Sequence, residues 1–292
     1  MSIQDNPSFK DLSNAGKAVR YASTLAALAK IFGKDGRAIA AALREGARVA
    51  AKAAVLLPIP DAFNRHYRSR GWIAFGDMHA DAMQEAVRLA ETGDVEAGEK
   101  LLVQTHSIDR LRFLMFRLCS VKAFLPRKGL IELALEDHVS GRFHASVPVV
   151  LAQIDGLVFD VAEASFYETR EKKLRHLEAK DTIAGHPEGL MSLAQEMSKT
   201  RPRTTTSVLS LPYRNGILHG RDLGYANETV SVKAFCALAA LGDWARAWES
   251  GKAQVEPPLQ WLDPDEATWN DVRRLWNELV TSLHNRADAS SP

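Results

Sequence analysis

One short segment of the C-terminal half combines an arginine, an asparagine and a histidine. It reads Arg214-Asn215-Gly216-Ile217-Leu218-His219-Gly220. Histidine exchanges protons near neutral pH, and the planar, permanently charged guanidinium of arginine holds two oxygens of an anionic group at once. On a helix, Asn215 and His219 share a face, whereas Arg214 lies about 140° away from His219 and is expected at the helix start. These residue types suit proton transfer beside a phosphate that gains negative charge in the transition state.

The segment resembles the signature of HEPN domains, in which an Arg is followed by four to six residues and a His. A polar residue, often Asn, stands directly after the Arg. Arg214, Asn215 and His219 match this pattern without departure, and the likeness covers about residues 140–250. The resemblance implies a metal-independent endoribonuclease without a cofactor. In such an enzyme Arg214 stabilises the transition state, His219 acts in general acid/base catalysis, and Asn215 positions both.

The resemblance also implies partners and a biological setting. HEPN nucleases place two copies of the motif face to face, so a homodimer with a composite cleft and RNA as substrate are expected. The products would be a 2′,3′-cyclic phosphate and a 5′-hydroxyl fragment. The family setting implies phage defence or toxin-like growth arrest. Because a cell must restrain such an activity, an activating or inhibiting protein partner is also expected. The alternative is a non-catalytic helical module that binds RNA or another protein.

Each motif residue has a structural alternative. A histidine after two apolar residues, as in Ile217-Leu218-His219, also fits a core position. Asn215 fits either the cap of the helix start or a partner that orients His219. Asp155 interrupts an apolar helix, where it either pairs with Arg214 or fixes the tautomer of His219. The alternative is an ordinary capping or exposed aspartate.

Two groups of arginines are further candidates for RNA binding. Arg201 and Arg203 precede the motif in a loop, where they either contact phosphates or remain solvated. The stretch Phe63–Trp72 interleaves aromatic residues with basic ones, a pattern that suits single-stranded RNA. Its arginines are Arg65, Arg68 and Arg70. The alternative for this stretch is that its aromatic side chains pack inward.

The composition indicates an ordinary folded protein. The 292 residues carry 37 Lys and Arg against 36 Asp and Glu, so any RNA contact must come from a local basic patch. The two cysteines have no metal-ligand spacing, no His pattern predicts a metal site, and a reducing, cytoplasmic location is expected. The N-terminus lacks the pattern of a signal peptide. The apolar stretch 38–57 carries four charges, too many for a membrane span.

Hydrophobic periodicity predicts an all-α fold, a helical bundle with an HEPN-like C-terminal domain and an N-terminal helical extension. Three regions are expected: helices of unknown role over 1–125, the HEPN-like domain over 126–255, and a linker with an amphipathic helix over 256–292. The predicted helices cover 8–33, 36–57, 76–92, 94–105, 107–124, 128–140, 145–168, 229–249 and 265–286. One or two further helices are expected within 170–200. Residues 200–212, rich in Thr, Ser and Pro, are expected to form a loop.

Overall fold

The computed structural model describes residues 55–168, 170–179 and 182–249. The predicted helices 8–33 and 265–286, and most of 36–57, lie outside these residues. Helices dominate the described part, which confirms the prediction of a mostly helical protein. They are α1 (Ile59–Tyr67), α2 (Ala80–Glu91), α3 (Val95–Thr105), α4 (Ile108–Leu118), α5 (Lys128–Val139), α6 (Phe143–Ala162), α7 (Glu171–Leu174), α8 (Ser192–Met197), α9 (Arg214–Leu218) and α10 (Glu228–Trp248).

The helix α10 lies at the centre of the fold. Sixteen of its 21 residues are buried, as expected for a helix that is apolar on every side. It packs against α6 and α4, and α6 packs in turn against α5. Asn227 caps its start by accepting a hydrogen bond from the N–H of Val230 at 3.1 Å. This helix begins eight residues after Gly220, so the motif is joined to the core on its C-terminal side.

The helices α2 and α3 form an antiparallel pair with the predicted connection. Gly93 takes a φ of +90°, which ends α2. The Asp94 side chain then accepts a hydrogen bond from the N–H of Ala97 at 3.0 Å and caps α3. The bounds expected at this connection, the end of one helix at 92 and the start of the next at 94, agree with the structure to within two residues.

Three predicted helix bounds are wrong by a turn or more. The first helix of the α2–α3 pair begins at Ala80 rather than at 76, since the residues before it are buried without helical structure. The helix expected over 107–124 ends at Leu118, and a 3₁₀ helix over Lys122–Arg127 contains Pro126. The helix expected to reach residue 168 ends at Ala162, where Glu163 takes a left-handed φ of +52°.

The predicted loop before the motif contains a strand, which corrects that expectation. β1 (Thr205–Val208) pairs in parallel with β2 (Asp222–Gly224), which follows α9. Three of the four β1 residues are exposed, so the strand has no apolar alternation that the sequence could reveal. The pairing brings the two flanks of the motif together. We call residues 205–224, which hold β1, α9 and β2, the motif unit.

Buried side chains on both sides of residue 125 form one hydrophobic core. For example, α10 packs against α4 from the first region and against α6 from the second. The boundary near residue 125 stays a prediction.

One described helix, α6, is long and apolar enough to cross a membrane by length and composition alone. The core helix of a soluble protein passes the same criterion, and α6 packs between α5 and α10. This is weak evidence for a membrane span.

A buried histidine makes the stability of the fold depend on pH. His106 is 2% exposed, and its Nδ1 bonds the carbonyl oxygen of Leu102 at 2.7 Å. Burial lowers the pKa of His106 to about 4. The unfolded chain therefore takes up a proton below pH 6.5 that the folded chain does not, so stability falls as the pH drops toward 4.

We expect the unfolding free energy of the wild type to fall by about 2 kcal/mol more than that of His106→Asn between pH 7 and pH 5. Asparagine keeps a hydrogen-bond donor close to the Nδ1 position but does not titrate. Urea denaturation of both proteins at the two pH values measures the difference. An equal loss in the two proteins would show that His106 is not the source.

Candidate active site

The motif forms the short helix α9, which begins at Arg214. The residue before it, Tyr213, provides no side-chain cap. Asn215 lies inside the helix, so the expectation that it caps the helix start is not met. His219 follows the last helical residue, and Gly220 takes a left-handed φ of +66°. The helix thus carries the arginine at one end and the histidine at the other.

Arg214 is held by an aromatic ring and an amide rather than by a carboxylate. Its guanidinium carbon lies 5.2 Å from the ring centroid of Tyr167, a cation–π distance. One terminal nitrogen donates to Oδ1 of Asn215 at 3.2 Å. Its Nε is buried and has no hydrogen-bond partner among the described residues. Within that part of the chain, no Asp or Glu forms an ion pair with Arg214, so its positive charge is not neutralised by a neighbour.

Asn215 ties the motif to the end of α8. Its Nδ2 donates to the carbonyl oxygen of Ser198 at 2.8 Å, while its Oδ1 accepts from Arg214. Ser198 is almost fully buried, and its Oγ has no partner among the described residues. Asn215 therefore links Arg214 to the end of α8, and its side chain bonds Arg214 but not His219.

Asp155 contacts neither Arg214 nor His219 by a hydrogen bond. Its Oδ1 accepts from the Ser165 hydroxyl at 2.8 Å and from the N–H of Phe166 at 2.9 Å. This bond fixes the turn that follows α6 and presents the next residue, Tyr167. Asp155 thus holds the turn that carries Tyr167, and Tyr167 in turn contacts Arg214. The sequence suggested a direct contact between Asp155 and Arg214 or His219.

Tyr167 joins this turn to α6 and the motif. Its hydroxyl donates to the carbonyl oxygen of Leu151 at 2.9 Å. Burial and the nearby Asp155 carboxylate raise the pKa of Tyr167 well above its ordinary value, although Arg214 opposes the shift. The phenol is therefore neutral at physiological pH and serves as a platform rather than as a base.

His219 is exposed, which excludes the alternative of a core histidine. No described side chain hydrogen-bonds its ring. Its backbone N–H bonds the carbonyl oxygen of Asn215 at 3.3 Å, so the two residues are on consecutive turns as predicted. An exposed imidazole is free to take a proton from, or give one to, a bound molecule.

A buried ion pair leaves room only for glycine inside α9. A Cβ on Gly216 would lie 1.8 Å from Oδ2 of Asp222. Asp222 is 1% exposed, and Oδ2 accepts from Nε of Arg201 at 2.9 Å. The Arg201 guanidinium also covers the Tyr213 ring at 4.5 Å. Arg201 therefore stabilises the motif unit, and its charge is neutralised rather than offered to a phosphate.

The other predicted arginines divide into paired and exposed ones. Arg68 forms an ion pair with Glu188 at 3.1 Å, and Arg70 pairs with Glu99 at 2.9 Å and also with Glu96. Arg65 and Arg203 are exposed, and no ion pair joins either to a described carboxylate. Of the arginines near the motif, Arg203, Arg214 and Arg221 form no ion pair with a described carboxylate, and Arg221 instead donates to the carbonyl oxygen of Arg201 at 3.1 Å.

The aromatic residues of the Phe63–Trp72 stretch pack inward. Tyr67 is 0% exposed and Trp72 is 1% exposed. Neither ring is accessible for stacking on a base, so the structural alternative is correct for this stretch. Its arginines lie on the surface without the aromatic platform that single-strand recognition requires.

The motif unit exposes three large apolar side chains. Val208 is 83% exposed, Leu223 is 51% exposed and Leu218 is 37% exposed. These residues belong to β1, β2 and α9, which contact one another. Apolar residues exposed beside polar ones are typical of protein interfaces.

Sequence reasoning missed Tyr167, Ser198 and Asp222. Each reaches the motif from a separate segment or through a buried contact that no local spacing reveals.

Among the described residues, no group of three or more His, Cys, Asp or Glu side chains is placed to hold a metal ion. Comparisons with family models, with curated proteins and with solved structures found no match for this chain.

Proposed function

We propose that the chain is a metal-independent endoribonuclease of HEPN type that acts as a homodimer. The observation that carries the proposal is the contrast between the partly buried Arg214 and the ion-paired arginines of the described part. Arg201, Arg68 and Arg70 are neutralised by carboxylates, whereas Arg214 keeps its charge and a buried Nε without a described partner. It does so at one end of a helix whose other end carries the exposed His219.

In the proposed reaction the 2′-oxygen of the ribose attacks the adjacent phosphorus and the bond from phosphorus to the 5′-oxygen breaks. A neutral histidine takes the proton of the 2′-hydroxyl, and a protonated acid gives a proton to the leaving 5′-oxygen. Arg214 binds the phosphoryl oxygens as their negative charge increases. The products are a 2′,3′-cyclic phosphate and a 5′-hydroxyl end, with no net change in protons.

The homodimer follows from the number of groups that the reaction needs. The reaction uses a base and an acid, and each motif supplies one histidine, His219. A second copy of the chain supplies the other, and the exposed Val208, Leu218 and Leu223 offer it an apolar contact beside the motif. The setting proposed from the family resemblance is phage defence or toxin-like growth arrest, with a regulatory protein that activates or inhibits the nuclease.

The same apolar side chains favour a second candidate, a non-catalytic module that binds a protein or RNA through the motif unit. In that case Arg214 and His219 would bind a phosphate or contact the partner without bond cleavage. The two candidates differ in what expression does to a cell, since a ribonuclease degrades RNA that growth requires.

We expect expression of the wild type to arrest bacterial growth, and expect Arg214→Ala and His219→Ala each to restore it. Arg65→Ala is the matched control, because Arg65 is exposed and lies outside the motif. Colony counts after induction measure the effect, with equal protein levels checked on gels. Arrest that persists in both motif variants, or no arrest by the wild type, would favour the binding module.

A further inference from the structure

An apolar groove lies between α4 and α5, and none of its lining residues belongs to the motif unit. Its volume is about 830 Å³. The apolar lining consists of Met115, Phe116, Phe124, Ile131, Leu135 and Val139. Phe116 is 65% exposed and Val139 is 42% exposed. Large apolar side chains exposed along a groove indicate that another element covers it.

The described chain ends next to this groove. Glu249 follows the last residue of α10, and its two carboxylate oxygens accept from the N–H groups of Lys122 and Ala123, at 3.2 Å and 3.3 Å. The next residue along, Phe124, lines the groove. These bonds hold Glu249, the last described residue, close to the groove. The rest of the chain, 250–292, therefore starts beside the groove.

The sequence of that C-terminal segment fits an apolar groove. It predicts an amphipathic helix over 265–286 with Val272, Trp276, Leu279 and Leu283 on one face. About 15 residues separate Glu249 from this helix. A chain of that length reaches at most roughly 50 Å when fully extended, which is enough to reach a groove that begins beside its starting point.

The position of the chain end also favours this segment as the occupant, because Glu249 bonds the backbone directly before Phe124 of the groove. The N-terminal segment instead joins the described part ahead of α1, which does not line the groove.

We propose that residues 265–286 dock in the α4–α5 groove of the same chain as an amphipathic helix, with Trp276 and Leu279 covering Phe116 and Val139. The docked helix completes the hydrophobic core at this face. It also keeps the apolar groove from associating with other proteins. The proposal does not depend on the ribonuclease activity.

Cys119 reports directly on this contact. It lines the groove and is partly accessible, whereas the one other cysteine, Cys236, is buried. We expect Leu279→Asp to raise the rate of maleimide labelling of Cys119 by about tenfold or more, because a charge on the buried face opposes docking. The matched control is Thr281→Asp, which puts the same charge on the opposite face of the predicted helix and should label at the wild-type rate.

Equal labelling rates in the wild type and Leu279→Asp would overturn the proposal. So would a wild-type rate that falls as protein concentration rises, because that result would place a second copy of the chain in the groove. Circular dichroism checks that Leu279→Asp folds.

A disulfide provides a second measurement. Oxidation of Trp276→Cys should give a bond to Cys119 within one chain, detected by mass spectrometry, whereas Thr281→Cys should give none. Exclusive formation of bonds between two chains, or no bond to Cys119 in Trp276→Cys, would contradict docking within the chain.

Discussion

Replacement of His219 by alanine is expected to lower the rate of RNA cleavage by about 10²–10⁴-fold, the usual contribution of a general acid or base. The imidazole is exposed and no described side chain bonds it, so its loss removes no internal contact. The melting temperature should therefore stay within about 1 °C of the wild-type value, as for a surface substitution without such contacts. This combination of lost activity and kept stability is the mark of a catalytic residue.

The matched control for this prediction is His144→Ala. His144 is also exposed and lies in the first turn of α6, outside the motif unit. Cleavage of a fluorescent RNA by the three purified proteins gives the rates, and differential scanning fluorimetry gives the melting temperatures. Full activity in His219→Ala would remove His219 from the mechanism.

Replacement of Lys233 by methionine is expected to lower the free energy of unfolding by about 3–5 kcal/mol, as for other buried ion pairs that lose one partner. Lys233 is fully buried within α10, where its Nζ donates to Oε1 of Glu99 and to the carbonyl oxygen of Ser210. Burial alone would raise the pKa of Glu99, but Lys233 and Arg70 beside it lower that pKa. Without Lys233, the ionised Glu99 still accepts from Arg70 and from the indole N–H of Trp72. The carbonyl oxygen of Ser210 loses the hydrogen bond from Lys233.

A double-mutant cycle tests this account of Lys233. Glu99→Gln with Lys233→Met removes both charges, so the pair of substitutions should cost less than the sum of the two single ones. Urea denaturation at pH 7 measures all four proteins. Additive losses would mean that Lys233 and Glu99 do not interact in solution. Because Ser210 lies four residues before Arg214, Lys233→Met should also loosen the approach to the motif.

Local signals in the sequence predicted the larger helices well. The Gly93-Asp94 pair marks both the end of α2 and the start of α3, because one residue tolerates a positive φ and the next caps a helix. The long apolar run after Asn227 predicted α10. Lys233 lies within that run and, because it is buried, needs a partner for its charge. Its partner, Glu99, is 134 positions away in the sequence, so the pairing itself could not be predicted.

The helical placement of the candidate residues could be predicted, but the residues that surround them could not. The spacing of Arg214, Asn215 and His219 indicated one short helical segment, and the structure has them on α9 and its C-terminal end. Tyr167 supports Arg214 from 47 positions upstream through a turn that no periodicity describes. β1 was missed because a short exposed strand of Thr and Ser has the composition of a loop.

The basic stretch before Trp72 shows why composition alone misleads. Arginines that alternate with aromatic residues suit RNA as well as they suit a surface helix with a buried face. The 0% and 1% exposure of Tyr67 and Trp72 decides for the second case. The partners of Arg68 and Arg70 are carboxylates on other segments, which the sequence order does not bring together.

The chemistry of the RNA ends is the most direct test of the central claim. Purified wild-type protein would be incubated with total RNA, tRNA and a single-stranded RNA in the presence of EDTA, and the product ends would be identified by mass spectrometry. The account predicts cleavage that leaves 2′,3′-cyclic phosphates and 5′-hydroxyl ends. Products with 3′-hydroxyl and 5′-phosphate ends, or no cleavage of any of the three substrates, would contradict it.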